Sequence, residues 1–581
     1  MALQTDSGGL LTGLANAESS GALMATLSCN CPACAAAGEG GNTVGSYATT
    51  PTDDAYRYVS QAQSPLSGSG GDVAALMAGS KWTSLDSASA KTVITFSFAD
   101  PLTSSFAYST NDFQSSLTSF SSADRQLTRD LLAKIESVCN VRFVEVADNA
   151  SECGVIRYGY SKEPNAMNFA GYAFFPSSGA IGGDVWIGAN QARAEWDFYR
   201  PDLILHETLH ALGLKHPFST GAVLSAEQDI IPNTVMSYST LAGSTAGYMS
   251  KYPGEPMALD IAALQYLYGA SALNAGDTRY DLASASFQSG FHAVWDAGGT
   301  DVLDASHVGR GVSLDLNAGA SSNIGVSVSA TGNVAGSSVS TVYNSTLTVA
   351  LGAVIEDAVG SAFNDVLIGN GVANRLEGGA GNDRLEGRGG NDVLAGGAGS
   401  NTLDGGDGMD IAVFASSRDS YTIGSGAQGV VVTGANSTDS LSGIERLVFS
   451  DGCVALDVSG NAGTAAKVIG VVFGAHCVEN AGYMGVAVNL LDAGMSEQDL
   501  VHLGLDFRLG AGAGNEAVVD LLYANLTGAA PAAADKDFYV GLLDQGVFSQ
   551  ACLGQLAAET ALNAANIDLV GLCNSGIEYI G

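Results

Sequence analysis

The eleven residues HETLHALGLKH, from His206 to His216, hold three of the chain's seven histidines. On a helix, His206 and His210 stand one turn apart on the same face, roughly 5–6 Å between Cβ atoms, close enough to share a metal ion. Glu207 projects beside them, within reach of a water on that ion. A third ligand has to come from beyond the helix, and Gly213 supplies the break that lets the chain turn and present His216. Three protein ligands leave one zinc position open, which marks a catalytic site and not a structural one. A water there ionises near neutral pH, and Glu207 as general base takes its proton while it attacks a peptide carbonyl. HExxH alone arises often by chance. Gly213 and His216 in register make accidental helix histidines a poor account.

A second chemistry lies downstream. Glycines at 360, 369, 378, 387, 396 and 405 open units of nine residues, among them GGAGNDRLE (378–386) and GRGGNDVLA (387–395). Nonapeptides of the form GGxGxDxUx coil into a parallel β-roll that binds calcium. Their glycines allow the turns, the sixth residue offers a carboxylate and the apolar eighth fills a thin core. The sixth positions here are Asp365, Asn374, Asp383, Asp392, Asn401 and Asp410, and the eighth include Leu367, Leu376, Leu385, Leu394 and Leu403. Asp365, Asp383, Asp392 and Asp410 are the expected calcium ligands, and the two Asn units are expected to bind weakly or not at all. A flexible glycine linker would not keep six units in one register.

The elements that must position these groups can be read from periodicity. Val93–Phe98, Val141–Val146 and a glycine-bounded stretch at 182–188 read as strands, and Asp124–Val138 as a helix with i, i+4 apolar spacing. PDLILHETLHALGL (201–214) reads as the helix of the histidines, with Asp202 to cap its start and Gly213 near its end. MALDIAALQYLYG, ending at Gly269, is a further helix. From about 463 the pattern is helical again, with apolar stripes at Val518, Leu521, Leu522 and Leu526 and at Phe538, Leu542 and Leu543. A chain of 581 residues exceeds one ordinary domain. The expected plan is multidomain: a leader at 1–71, an α+β zinc-protease domain at 72–270, a parallel β-roll at 271–455 and a small α-helical domain at 456–581.

Charge narrows the partners. With 59 acidic against 23 basic residues the formal net charge is −36, which repels nucleic acid and anionic membranes and suits calcium, a cation of oxygen ligands. No run of eighteen apolar residues marks a transmembrane span. The N-terminus shows no basic region ahead of an apolar core, so the protein either is cytosolic or leaves the cell by a route that does not read it.

HExxHxxGxxH followed by a methionine turn, here VMSY (235–238), is the metzincin signature. LMAGSKW (76–82), VITFSF (93–98), GGDVWIG (182–188) and DIAALQYLYG (260–269) resemble the catalytic domain of the serralysins, the calcium-binding RTX branch of that family; the resemblance spans about 72–413. It implies that Met236 floors the metal and that Tyr238 can ligate zinc at rest and swing to stabilise an oxyanion. WDAGGTDVLD (295–304) resembles the family's entry to the roll. There Asp296, Gly298, Gly299 and Asp301 would contact calcium, completed by Gly276, Thr278 and Glu356; Asn274 stands where the family has Arg.

The expected activity is that of a secreted zinc endopeptidase on extended polypeptides, with Zn2+ and Ca2+ as cofactors. Its substrate would add as a strand beside Gly183, Asp184, Val185 and Trp186. The competing reading is a calcium-binding surface or adhesion protein with a relict protease domain, against which stands the presence of every ligand and of Glu207. The final residues are expected to carry a type I export signal, and the C-terminal segment resembles a small helical domain of secreted RTX proteins, which implies attachment to a cell-surface layer or simply packing against the roll. The chain departs from the family in its nine cysteines and its extra C-terminal domain. Cys29, Cys31 and Cys34 crowd the leader, where they could bind metal, pair, or place a thiolate on the zinc and silence a precursor. The other six are expected to pair as Cys139–Cys153, Cys453–Cys477 and Cys552–Cys573.

Overall fold

The structure, a computed structural model, describes residues 59–61, 71–83, 91–106, 116–166, 169–426, 429–435 and 437–581. Nearly all of the expected leader, with Cys29, Cys31 and Cys34, lies outside the described residues. The chain forms two compact units. One takes the residues up to Leu303 with Leu316–Ile355, the other Asp304–Asp315 with Glu356–Gly581. In coarse terms the expected mixture of parallel-rich sheets and C-terminal helices is borne out.

The first unit is built on a five-stranded sheet. Its strands are β1 (Thr92–Phe98), β2 (Val141–Glu145), β3 (Ile156–Ser161), β4 (Gly171–Ala173) and β5 (Val185–Gly188), in the order β2-β1-β3-β5-β4. The first four of that order run parallel, and β4 pairs antiparallel to β5 at the edge. β3 and β5 are buried along their whole length, as interior parallel strands must be. Helix α1 (Ser122–Val138) links β1 to β2; Ser121 caps it by accepting from the Asp124 amide, and Leu131, Leu132, Ile135 and Val138 face inward. Helix α2 (Arg200–Ala211) carries His206 and His210 and is buried from Asp202 onward. Helix α3 (Ala258–Tyr268) ends at Gly269, whose positive φ closes it.

Two expectations need correction. Asp202 does not cap α2, because Arg200 and Pro201 already form its first turn and Asp202 is buried inside it. None of the six described cysteines is bridged. β2 and β3 both run parallel to β1, with Val141 beside Thr92 and Ile156 beside Phe96. Cys139, two residues before Val141, therefore lies at the start of β1, whereas Gly154, next to Cys153, packs against the Phe96 and Ser97 backbone farther along it. The Cys139 thiol points back along α1 to the Ile135 carbonyl, and that of Cys477 to Phe473.

In the second unit the nine-residue units alternate between two parallel ladders. One stacks Asp357–Val359, Arg375–Glu377, Val393–Ala395, Ile411–Val413 and Arg446–Val448. The other stacks Ser313–Asp315, Val366–Ile368, Arg384–Gly389, Thr402–Asp407 and Thr438–Ser442. Leu367, Leu376, Leu385, Leu394 and Leu403, the eighth residues, are fully buried. Helices from Asn461 onward pack around alanine- and valine-rich faces. No helix among the described residues is long and apolar enough to cross a membrane.

Candidate metal centre

His206 and His210 face each other from successive turns of α2, ring centroids 4.8 Å apart. Beyond Leu212 the chain turns at Gly213, whose φ is +106° and where a Cβ would strike the Ser80 carbonyl. Only glycine meets both demands. The turn is pinned from outside: Ala78 N donates to the Gly213 carbonyl and Lys215 N to that of Leu76. Trp82 Nε1 donates to the Ala211 carbonyl and the Tyr268 hydroxyl to that of Leu212, so the exposed end of the α2 ladder is capped by side chains. His216 then returns with Nε2 3.1 Å from His206 Nε2 and 3.0 Å from His210 Nε2.

Protonation decides what this cluster can hold. His206 Nδ1 lies 2.7 Å from the Val235 carbonyl and His210 Nδ1 2.7 Å from that of Leu214. A carbonyl only accepts, so each Nδ1 carries the hydrogen and each Nε2 presents a lone pair inward. His216 can give a proton to only one of the two, which leaves lone pairs facing at about hydrogen-bond distance. Added protons are disfavoured: burial pushes His206 down to about 4, and burial with the neighbouring imidazoles holds His210 and His216 well below the usual histidine range. A cation shared by all three relieves that opposition. Neutral imidazoles suit zinc, and three of them leave a position open. Among the described residues this is the one group of three or more His, Cys, Asp or Glu side chains whose donor atoms converge.

Glu207 is fully buried, and its Oε1 would lie 3.1 Å from a Cβ at Gly171 in β4. Met236 is fully buried in the turn below. Tyr238 places its hydroxyl 2.6 Å from His216 Nε2, and the Phe218 ring lies 5.0 Å from both His216 and Tyr238. The methionine turn hangs on Asp260, which the sequence reading passed over. Its carboxylate accepts from Thr234 Oγ1, Val235 N and Met257 N at 2.5, 2.9 and 2.9 Å, and Val235 in turn holds His206. Burial pushes Asp260 up to about 6 and, with Asp260 nearby, raises Asp202 well above the usual range. An acidic residue in the first turn of a helix downstream of the methionine was the available signal.

The strand expected to receive substrate is not an edge. Val185 and Trp186 belong to β5, bonded to β3 on one side and β4 on the other. Gly183 and Asp184 fold over as a turn, Gly183 N donating to the Phe174 carbonyl and Phe174 N to that of Asp184. The edge position of this sheet belongs to Gly171–Ala173, beside Glu207.

Of the residues implied for calcium at the entry to the repeats, six gather in the first unit. Asp301 Oδ1 accepts from Thr278 N, Thr278 Oγ1 donates to the Gly276 carbonyl, and Gly299 packs against Gly276 too closely for a side chain. Asp296 accepts from Gly298 N and from the Tyr280 hydroxyl. Glu356 belongs to the second unit.

Four of the six sixth residues use one oxygen to accept the amide of their counterpart 18 residues earlier: Asp383 from Asp365, Asp392 from Asn374, Asn401 from Asp383 and Asp410 from Asp392. The series continues past the repeats, Asn401 N donating to Asp439 and Asp410 N to Glu445. Burial pushes Asp383 and Asp392 up to about 6 and raises Asp410 and Asp439.

Residues 261–451 match the family model described as the peptidase M10 serralysin C-terminal region. Serralysin C of Dickeya chrysanthemi is 28% identical over 240 residues, covering 37% of this chain and 50% of that protein. Serralysin of Proteus mirabilis is 31% identical over 234 residues, covering 34% and 48%. The metallopeptidase AprA of Pseudomonas marginalis is 31% identical over 215 residues, covering 32% and 44%. The chain spans about half the length of the curated relatives it matches. A short stretch, 14% of the chain, also aligns at 26% identity with the extracellular lipase LipA of Serratia marcescens, at a TM-score of 0.14. Over about a third of its length the chain is thus similar to the serralysins, and residues 261–451 match the C-terminal region of that family.

Proposed function

We propose that the chain is a zinc-dependent endopeptidase of extracellular polypeptides, stabilised by calcium and exported from a bacterial cell by a non-Sec route. The observation that carries this reading is the convergence of three buried imidazole nitrogens beside a buried glutamate. When bound, zinc supplies the Lewis acid that makes a water nucleophilic near neutral pH. His206, His210 and His216 would hold it. Glu207 takes the proton from the attacking water and passes it to the leaving amine. The Tyr238 hydroxyl, already at the ligand cluster, donates to the carbonyl oxygen as charge develops there. Met236 keeps the floor apolar. The proposed domain plan is catalytic at 72–270, a calcium-binding β-roll at 271–455 and helical at 456–581, with Asp296, Asp301 and the repeat carboxylates as calcium ligands. The name of one relative, the metallopeptidase AprA, carries a metal-dependent peptidase activity of that protein.

Glu207→Gln tests it. The variant should keep its zinc and lose casein hydrolysis by roughly 10²–10⁴-fold. Near wild-type hydrolysis would refute the mechanism. A wild-type chain that binds calcium but shows no chelator-sensitive hydrolysis would instead be a surface protein.

A further inference from the structure

The six repeat turns do not present the same chemistry to a cation. Asp383, Asp392 and Asp410 are 0–2% exposed, and each spends one oxygen on an amide while its Oδ2 has no hydrogen-bond partner. A buried carboxylate oxygen without a donor is costly. In each of these turns, as at Gly360 beside Asp365, a Cβ on the lead glycine (Gly378, Gly387 or Gly405) would clash with Oδ2, so glycine keeps that oxygen uncovered. Each of these three turns therefore presents a buried carboxylate oxygen that no protein donor reaches.

The other three are closed by the protein. Asp365 accepts from Val312 N through Oδ1 and from Ser361 N through Oδ2, and Ser361 Oγ lies 3.0 Å from both oxygens. Asn374 Oδ1 accepts from Asn370 N, and its Nδ2 donates to the Glu356 carbonyl at 2.7 Å and to Asn370 Oδ1. Asn401 Oδ1 accepts from Asp383 N, and its Nδ2 donates to Asp439 at 2.9 Å. An amide nitrogen there supplies the donor that a cation would otherwise replace.

We propose that calcium is held at the turns of Asp383, Asp392 and Asp410, while those of Asp365, Asn374 and Asn401 are locked by Ser361, Asn370, Glu356 and Asp439 and recruit none. The proposal rests on the calcium-binding reading of the repeats and refines it. Ser361 is its most telling residue: it sits in the second position of its repeat, where GGAGNDRLE (378–386) has glycine, and turns an acidic sixth residue into a metal-independent one.

Bound calcium per full-length chain, measured by elemental analysis after gel filtration, with circular dichroism to follow the β signal, decides it. D383N and D392N should each carry at least one calcium fewer than wild type, and D365N the same number. D365N short of calcium with its β signal intact, or D383N at the wild-type count, would overturn the partition. If D365N loses its β signal, Ser361→Ala is read in its place: an unchanged or higher count supports the lock, and a lower one overturns it. A wild-type chain without calcium refutes the roll reading itself, which no difference among variants would do.

Discussion

At the scale of single residues, the histidine cluster depends on groups outside it. Val235 orients His206 through its carbonyl, and Asp260 fixes Val235 through its amide. Asp260→Ala would leave the Val235 and Met257 amides and the Thr234 hydroxyl without their acceptor in a buried site. Losing hydrogen bonds to a charged group costs about 1.5–3 kcal/mol each at most, with partial recovery by relaxation. A total of about 2–4 kcal/mol is expected, read as a fall in melting temperature together with weaker zinc retention. Asp260→Asn keeps an oxygen for the two amides and should restore most of both. If the alanine variant retains zinc and melts as wild type does, Asp260 is not a positioning residue. The convergence of the three histidines was legible because HExxHxxGxxH is a local pattern with a local geometry. Asp260 was not, since its contacts reach 25 and 26 residues back along the chain and no period links them.

At the scale of elements, the nonapeptide period foretold both ladders and their leucine core. It failed where the period broke. The hairpin of Thr422–Gly426 and Gly429–Thr433 lengthens one turn, so Asp439 follows Asn401 by 38 residues instead of 18, and Asp439 and Glu445 went unseen as continuations. Cysteine pairing failed for a related reason. Parity and proximity in sequence say nothing of direction, and Cys139 and the neighbour of Cys153, Gly154, lie beside different parts of β1. Likewise Gly171–Ala173 is too short for alternation to announce, yet it takes the sheet edge that had been assigned to β5. The leucine core gives a test at this scale. Leu385 is fully buried between neighbours in both directions of its ladder. Leu385→Ala should cost about 2–5 kcal/mol in saturating calcium, by transfer and cavity together, measured by chemical denaturation. A loss under about 1 kcal/mol would mean the roll does not depend on a packed core.

For the whole molecule, the proposed calcium dependence could arise either from overall acidity or from the particular carboxylates. A net charge of −36 opposes compaction by long-range repulsion, and calcium could act merely by neutralising it. Monovalent salt would do the same, because at about 1 M the screening length falls to about 3 Å and exposed charges cease to feel each other. Buried groups respond differently. Asp383, Asp392 and Asp410 are 0–2% exposed, screening ions do not enter their turns, and their unpartnered oxygens need a ligand in contact. The expected outcome in chelator is therefore a loss of β signal that about 1 M sodium chloride leaves unrestored and that calcium returns cooperatively. The helices from Asn461 onward have their own apolar core and should keep their helical signal throughout. Salt alone restoring the β signal would assign calcium's role to net charge and remove the need for specific carboxylate ligation. The helical signal collapsing with the β signal would show that the C-terminal helices cannot stand without the calcium-bound repeats.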